Sequence, residues 1–191
     1  TIIGVGVGAA AGYFGGWVDE IGMRVAELFQ TIPNLIFVLT IVVILGSTLT
    51  NIVIAIGIVS WTPIARMTRA EFLSLRDREF VQACRSMGMS DFRIIVSEIL
   101  PNALSPLVAE FGLRFIFAVL FISTLSFLGL GVQPPLADWG GMVKENKDGL
   151  IYGKSAALLP AIAIAALAIS VNLVADWILT RTSSLKGGRG G

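Results

Sequence analysis

Asp77-Arg-Glu-Phe-Val-Gln-Ala-Cys-Arg-Ser-Met-Gly-Met-Ser-Asp-Phe-Arg-Ile-Ile-Val-Ser-Glu-Ile-Leu-Pro101 is the stretch that decides how this chain must fold. It is charged and amphipathic, yet it lies between uncharged runs long enough to cross a bilayer. Apolar residues recur at Phe80, Val81, Cys84 and Met87, then at Phe92, Ile95, Val96 and Ile99, which is helical spacing on both sides of a glycine. Gly88 permits the positive φ that ends one helix, and Ser90 is placed to N-cap the next. Pro101 is expected to close that second helix before the following hydrophobic run. The pattern predicts a helix–turn–helix platform within a loop at 67–103, on the aqueous face of a membrane protein and shaped to dock on something soluble.

Composition agrees with a membrane setting. Of 191 residues 55% are hydrophobic and only 14% charged, with mean hydropathy +0.83, too little charge for an ordinary soluble domain of this length. A net charge of +1 gives no electrostatic case for a nucleic-acid partner. The single cysteine, Cys84, excludes an internal disulfide and a cysteine-based zinc cluster. With no histidine, His-dependent triads, zincin motifs and imidazole proton relays are excluded too. No catalytic, cofactor-binding or metal-ligating residues are expected.

Uncharged runs set the expected architecture. Thr1–Val18 has 18 residues without charge and Leu28–Ala65 has 38, the latter enough for two spans with a turn at Gly46-Ser-Thr-Leu-Thr-Asn51. Phe115–Ala137 has 23, extended backwards by Ile99–Ala109 across Glu110 and Arg114, and Ser155–Ala175 has 21. A span needs about 20 residues. The expectation is an all-α, polytopic membrane helical bundle with spans near 1–16, 32–47, 50–66, 104–130 and 156–179. The membrane domain then covers 1–182, and the low-complexity tail 183–191 is expected to be disordered. Because the chain starts with Thr inside a hydrophobic helix, it reads as a fragment. A signal peptide is the alternative for Thr1–Val18, but no basic n-region or cleavage site supports it.

Orientation follows from Lys and Arg. Alternating spans put 19–31, 67–103 and 180–191 on one side, with Arg24, Arg66, Arg69, Arg76, Arg78, Arg85, Arg93, Arg181, Lys186 and Arg189. The other side has Lys144, Lys147 and Lys154. Ten against three makes the 67–103 loop cytoplasmic and the 131–155 loop extracytoplasmic.

Other motifs carry two readings each. Gly4, Gly8, Gly12 and Gly16 form a small-residue stripe, suited to ordinary helix packing or to a moving subunit interface. The run from Gly149 to Gly153, Lys154 and Ser155 imitates a phosphate-binding loop, but its glycine spacing is one residue short and it lies opposite the cytosol. Glu110 and Arg114, four apart within a span, either neutralise each other or line a translocation pathway. Asp176 and Trp177 fit a cytoplasmic interface. Gln133, Pro134, Pro135 and Trp139 in the outer loop fit either an interfacial hairpin or a surface facing a soluble partner.

The 77–101 segment resembles the EAA loop of ABC-transporter permease subunits. Gly88, Leu100 and Pro101 stand where that pattern puts them, although the triplet reads Gln82-Ala83-Cys84 instead of Glu-Ala-Ala. The run Leu125-Ser-Phe-Leu-Gly-Leu-Gly-Val-Gln-Pro-Pro135, with Trp139-Gly-Gly-Met142, resembles the dipeptide, oligopeptide and nickel branch of importers. The likeness covers about 15 to 185. It implies an inner-membrane subunit of a bacterial or archaeal importer, with six spans when intact. It also implies a homologous second permease, two cytoplasmic ATPase subunits that bind the ATP, and an extracytoplasmic solute-binding protein. Carried onto this chain, the ATPase-contacting residues are Glu79, Gln82, Ala83, Cys84, Gly88, Asp91, Leu100 and Pro101. The rival classes are a secondary transporter or channel, which would need intramembrane acidic residues beyond Glu110, and an intramembrane enzyme, which would need a nucleophile–base pair or metal ligands within spans.

Overall fold

The computed structural model describes the backbone of residues 1–187 and the side chains of residues 1–180. Among the described residues the chain is helical, with no strand. The helices are α1 (Ile2–Phe14), α2 (Gly16–Thr31), α3 (Asn34–Leu45), α4 (Leu49–Arg76), α5 (Glu79–Ser86), a short α6 (Asp91–Arg93), α7 (Leu100–Leu128), α8 (Trp139–Asn146) and α9 (Leu158–Gly187). A π-helical segment, Ile94–Ile99, joins α6 to α7, and a 3-10 segment, Lys147–Tyr152, follows α8.

Local chemistry sets the breaks. Gly15 (φ 65°) and Gly16 (φ 53°) separate α1 from α2, a conformation that costs glycine nothing. Pro33 precedes α3, and Gly46 (φ 90°) ends it. There the Asn51 side-chain amide donates to the carbonyls of Leu45 (2.8 Å) and Gly46 (3.0 Å), satisfying acceptors that the ended helix leaves open.

Among the described residues three helical stretches are long and apolar enough to cross a membrane: Leu49–Arg76, Asp91–Leu128 and Leu158–Thr180. A fourth arises if the broken pair α2 and α3 counts as one. The expected class, an all-α membrane helical bundle, is therefore found, with the expected spans 50–66, 104–130 and 156–179 falling on the three long stretches and 1–16 and 32–47 on shorter apolar helices. The stretch 1–16 holds the 13-residue α1, a shorter apolar helix. The stretch 32–47 yields the 12-residue α3. The expected bounds at 16 and 32 fall at the breaks Gly15-Gly16 and Pro33. Residues 19–31, expected as a connecting loop, are most of helix α2. The tail also differs, because α9 continues through Ser183 to Gly187, and residues 188–191 lie outside the described ones.

The chain divides into two compact units. The first comprises 1–31, 59–111 and 177–191. Its core joins Ala9 and Tyr13 of α1 to Phe72 of α4, Val81 and Cys84 of α5, and Ile94, Ile99, Ala103 and Leu107 beyond the turn. The glycine stripe explains how α1 seats on α4. A Cβ at Gly4 would lie 2.5 Å from the Trp61 carbonyl oxygen, one at Gly8 would overlap the Ala65 carbonyl, and one at Gly12 would lie 2.7 Å from that of Arg69. Three of the four glycines thus permit a close backbone seam within the chain, and Gly16 faces open space.

The second unit comprises 32–58 and 112–176. It buries Val38 and Val42 of α3, Ile52 of α4 and Leu125 of α7. Small residues again set its closest approaches: Gly112 faces Ala175, Gly131 lies on Ser126, and Gly140 lies on the Ser123 backbone. The outer loop is not a plain hairpin, because it contains α8, N-capped by Asp138, whose carboxylate accepts from the Gly141 amide at 3.2 Å. Gly149–Tyr152 belongs to the 3-10 segment, which ends at left-handed Gly153, so no strand–loop–helix phosphate cradle forms there.

Candidate functional site

The platform begins with α5, whose start needs no special chemistry beyond extended Arg78 and an acidic first-turn residue, Glu79. Its end is a Schellman turn. Gly88 takes φ 75°, its amide donates to the Arg85 carbonyl (2.9 Å), and the Met89 amide reaches back to the Cys84 carbonyl (3.1 Å). Met89 packs against the same core as Cys84, which is the apolar contact that accompanies such turns. A Cβ on Gly88 would meet nothing within 4 Å, so glycine is required here by φ and not by space. Ser90 occupies the N-cap position with extended backbone, but its side chain makes no capping bond.

The second half departs from expectation. Pro101 does not close the helix: the path from Asp91 to Leu128 is one span of 38 residues. The device that allows it is the π segment, where the Leu100 amide donates to the Ile95 carbonyl five residues back. The wide turn moves the preceding carbonyls away from the Pro101 ring, and the nearby carbonyls of Arg93 and Glu98 accept from Ser97 Oγ (2.6 Å) and Asn102 Nδ2 (2.7 Å).

Burial sorts the candidate residues. Val81, Cys84, Ile94 and Ile99 turn inward, and Leu100 packs against the core. Glu79, Gln82, Ala83, Arg85, Met87, Gly88, Asp91, Phe92, Arg93 and Pro101 are exposed, Met87 at 71% and Phe92 at 77%. Cys84 therefore belongs to the foundation of the platform and not to its outer face, unlike its triplet neighbours Gln82 and Ala83. Phe92 and Val96, expected on the apolar stripe, point outward. Two large apolar side chains on a charged surface, above a rigid buried stripe, make a surface suited to a protein partner.

Side chains distant in sequence hold this platform, and periodicity could not reveal them. Tyr13 Oη donates to Asp91 at 2.5 Å, and the Arg85 guanidinium lies 5.1 Å from the centre of the same ring. The Arg69 guanidinium forks onto the Asp19 carboxylate, with the Nη2 contact at 2.5 Å, and Arg76 Nη1 donates to the Gly12 carbonyl at 3.2 Å. One available signal was the position of Asp19 beside an 18-residue uncharged run, where a carboxylate needs a partner.

Outside the platform, Glu110 and Arg114 are both half-buried on α7, and the Arg114 guanidinium lies 5.4 Å from the Phe117 ring centre. In the outer loop Pro134, Pro135 and Trp139 are exposed, and the Gln133 amide donates to the Gly129 (3.2 Å) and Gly131 (3.0 Å) carbonyls. An open apolar groove of about 410 Å³ runs along Leu120, Phe127, Val143 and Ile164. No group of three or more metal-capable side chains occurs among the described residues.

These features define a polytopic helical membrane protein with a structured, partly apolar helical turn exposed between its spans. Residues 3–184 match the family described as binding-protein-dependent transport system inner membrane component, and the chain belongs to that family of the inner membrane. It is 35% identical over 175 residues to a glutathione transport system permease protein of Pectobacterium atrosepticum, a match covering 92% of this chain and 58% of that one. It is likewise 35% identical over 175 residues to a dipeptide transport system permease protein of Alkalihalophilus pseudofirmus, with the same coverage. A glutathione transport system permease protein of Escherichia coli is 36% identical over 183 residues, covering 92% of this chain and 60% of that protein. The chain thus spans about three fifths of the length of these relatives. Among solved structures, the MetNI methionine ABC transporter in inward-facing conformations shares the fold, with a TM-score of 0.71, 20% identity, and coverage of 94% of this chain and 86% of that one.

Proposed function

We propose that this chain forms half of the translocation pathway of an ATP-driven importer for peptides or a related small solute, nickel complexes included. The reading is supported by family membership and by relatives named for glutathione and dipeptide transport. The observation that carries the mechanism is the Schellman-turned helix pair, rigid and apolar beneath, with Met87 and Phe92 exposed above. A separate ATPase subunit docks on that face, through Glu79, Gln82, Ala83, Gly88 and Asp91, while Cys84, Leu100 and Pro101 shape it from behind. Closure of two ATPase subunits pushes on the platform, and the spans rock between inward and outward openings.

Solute passes at the interface with a homologous permease, past Glu110 and Arg114. A solute-binding protein docks outside, at Gln133, Pro134, Pro135 and Trp139. Nucleotide is held by the partner subunits, and this chain performs no covalent chemistry. Replacing Gly88 by Val tests the docking. A β-branched residue forced to φ 75° costs about 1–2 kcal/mol, confined to the platform. The variant is expected to insert at near-normal levels, to recover less ATPase subunit on co-purification, and to lose ligand-stimulated ATP hydrolysis. Full ATPase recovery with full transport would overturn the reading.

A further inference from the structure

We propose that Tyr13 is a positioning residue that ties both helices of the platform to α1, so that load on the platform moves α1 and α4 together. The idea rests on the docking reading and goes beyond it by naming the path of force. Arg85 lies in the last turn of α5 and Asp91 opens α6, so they stand on opposite sides of the Gly88 turn. The buried Tyr13 side chain engages both, through its ring face to Arg85 and its hydroxyl to Asp91. Without it, the two helices are joined on this side by the four-residue turn from Met87 to Ser90; with it, they share one anchor.

The anchor is itself stiff. Tyr13 follows directly on Gly12, whose carbonyl accepts from Arg76 at the end of α4, and Gly4, Gly8 and Gly12 hold α1 against the α4 backbone without slack. A displacement of Asp91 by a docked partner reaches α7 along its own continuous helix, and a displacement of Arg85 and Asp91 together reaches α1 through the phenol ring at its base. The apolar core around Val81, Cys84 and Ile94 supports the platform from below but offers no directional bond.

The test uses the assembled transporter in proteoliposomes. Tyr13→Phe keeps the ring beneath Arg85 and its burial, and removes what the hydroxyl contributes: its bond to Asp91 and its polar contact with Arg85. Expected are unchanged protein level, detergent melting temperature and ATPase recovery, with solute moved per ATP hydrolysed reduced about tenfold, a mid-range coupling effect. Asp91→Ala, which also alters the docking face, is expected to recover less ATPase subunit. It is therefore compared only as solute moved per ATP hydrolysed, where it should show the same loss and the double variant no further loss. Normal stoichiometry in Tyr13→Phe, beside a Gly88→Val variant that has lost its ATPase, would overturn the proposal and leave the docking reading standing. Loss in neither variant would overturn both. A Tyr13→Phe protein that is merely less abundant, with normal transport per molecule, would also overturn it.

Discussion

The two compact units of this chain are held together by different chemistry. The first, containing the platform, is cross-linked by polar side chains far apart in sequence: Tyr13 to Asp91, Asp19 to Arg69, Arg76 to the Gly12 carbonyl. It also contains Arg24, Arg66, Arg69, Arg76, Arg78, Arg85 and Arg93. In the second, the bonds made by Asn51, Gln133 and Asp138 reach at most six residues along the chain, and the close approaches are those of Gly112, Gly131 and Gly140. The difference follows from the surroundings. The first unit includes the charged 77–101 segment, whose polar side chains offer directional bonds to α1 and, on the proposed reading, meet water and a partner. Within lipid, burial of apolar side chains gives no net drive, so close small-residue packing takes over.

The glycine seam should give the largest effect, because there the first unit also relies on backbone contact. Gly8→Leu is expected to lower stability by about 3 kcal/mol, the upper end of overpacking costs, since its Cβ would meet the Ala65 carbonyl and not a yielding side chain. Gly6→Leu, with nothing within 4 Å, should stay within about 0.5 kcal/mol. Detergent melting temperatures of the two variants check the contrast, and equal losses would break it. Next in size is the Asp19–Arg69 pair. Asp19→Asn alone should cost about 2 kcal/mol, below the value for a fully buried pair because the two side chains keep 19% and 34% exposure. The Asp19→Asn, Arg69→Gln double variant should melt nearer to wild type than either single. Singles and double of equal stability would remove the pair from the account. The smallest effect is expected in the second unit, where Pro134→Ala should leave ATPase recovery unchanged. Reduced recovery there would show that docking is not confined to the platform.

Much of the platform was legible in the sequence. Helical spacing on either side of Gly88 marked two helices, and only a left-handed turn joins them so tightly. The carry-through past Pro101 was not legible, because proline reads as a terminator unless a π turn opens room for its ring. Nor could spacing assign Cys84 inward and Phe92 outward, since both lie on plausible apolar stripes and the choice depends on where α1 and α4 stand. Long-range partners such as Tyr13 and Asp91, 78 residues apart, leave no periodic trace. Hydropathy marked all five apolar runs, whereas the helical character of 16–31 and its 77° bend onto α3 were not legible, because the charged residues from Asp19 to Glu27 read as a connecting loop.

The central claim is that the exposed face at Met87 and Phe92 lies in the cytoplasm and is covered by the ATPase. Cys84 is buried and cannot report on it. A Cys84→Ala background with Met87→Cys places a thiol on that face, and Ile151→Cys, at a position 82% exposed, places one in the outer loop. An impermeant maleimide should label the first only in inside-out vesicles, with labelling suppressed when ATPase subunits are bound, and the second only in spheroplasts. Labelling of Met87→Cys from outside, or labelling indifferent to the ATPase, would contradict the account.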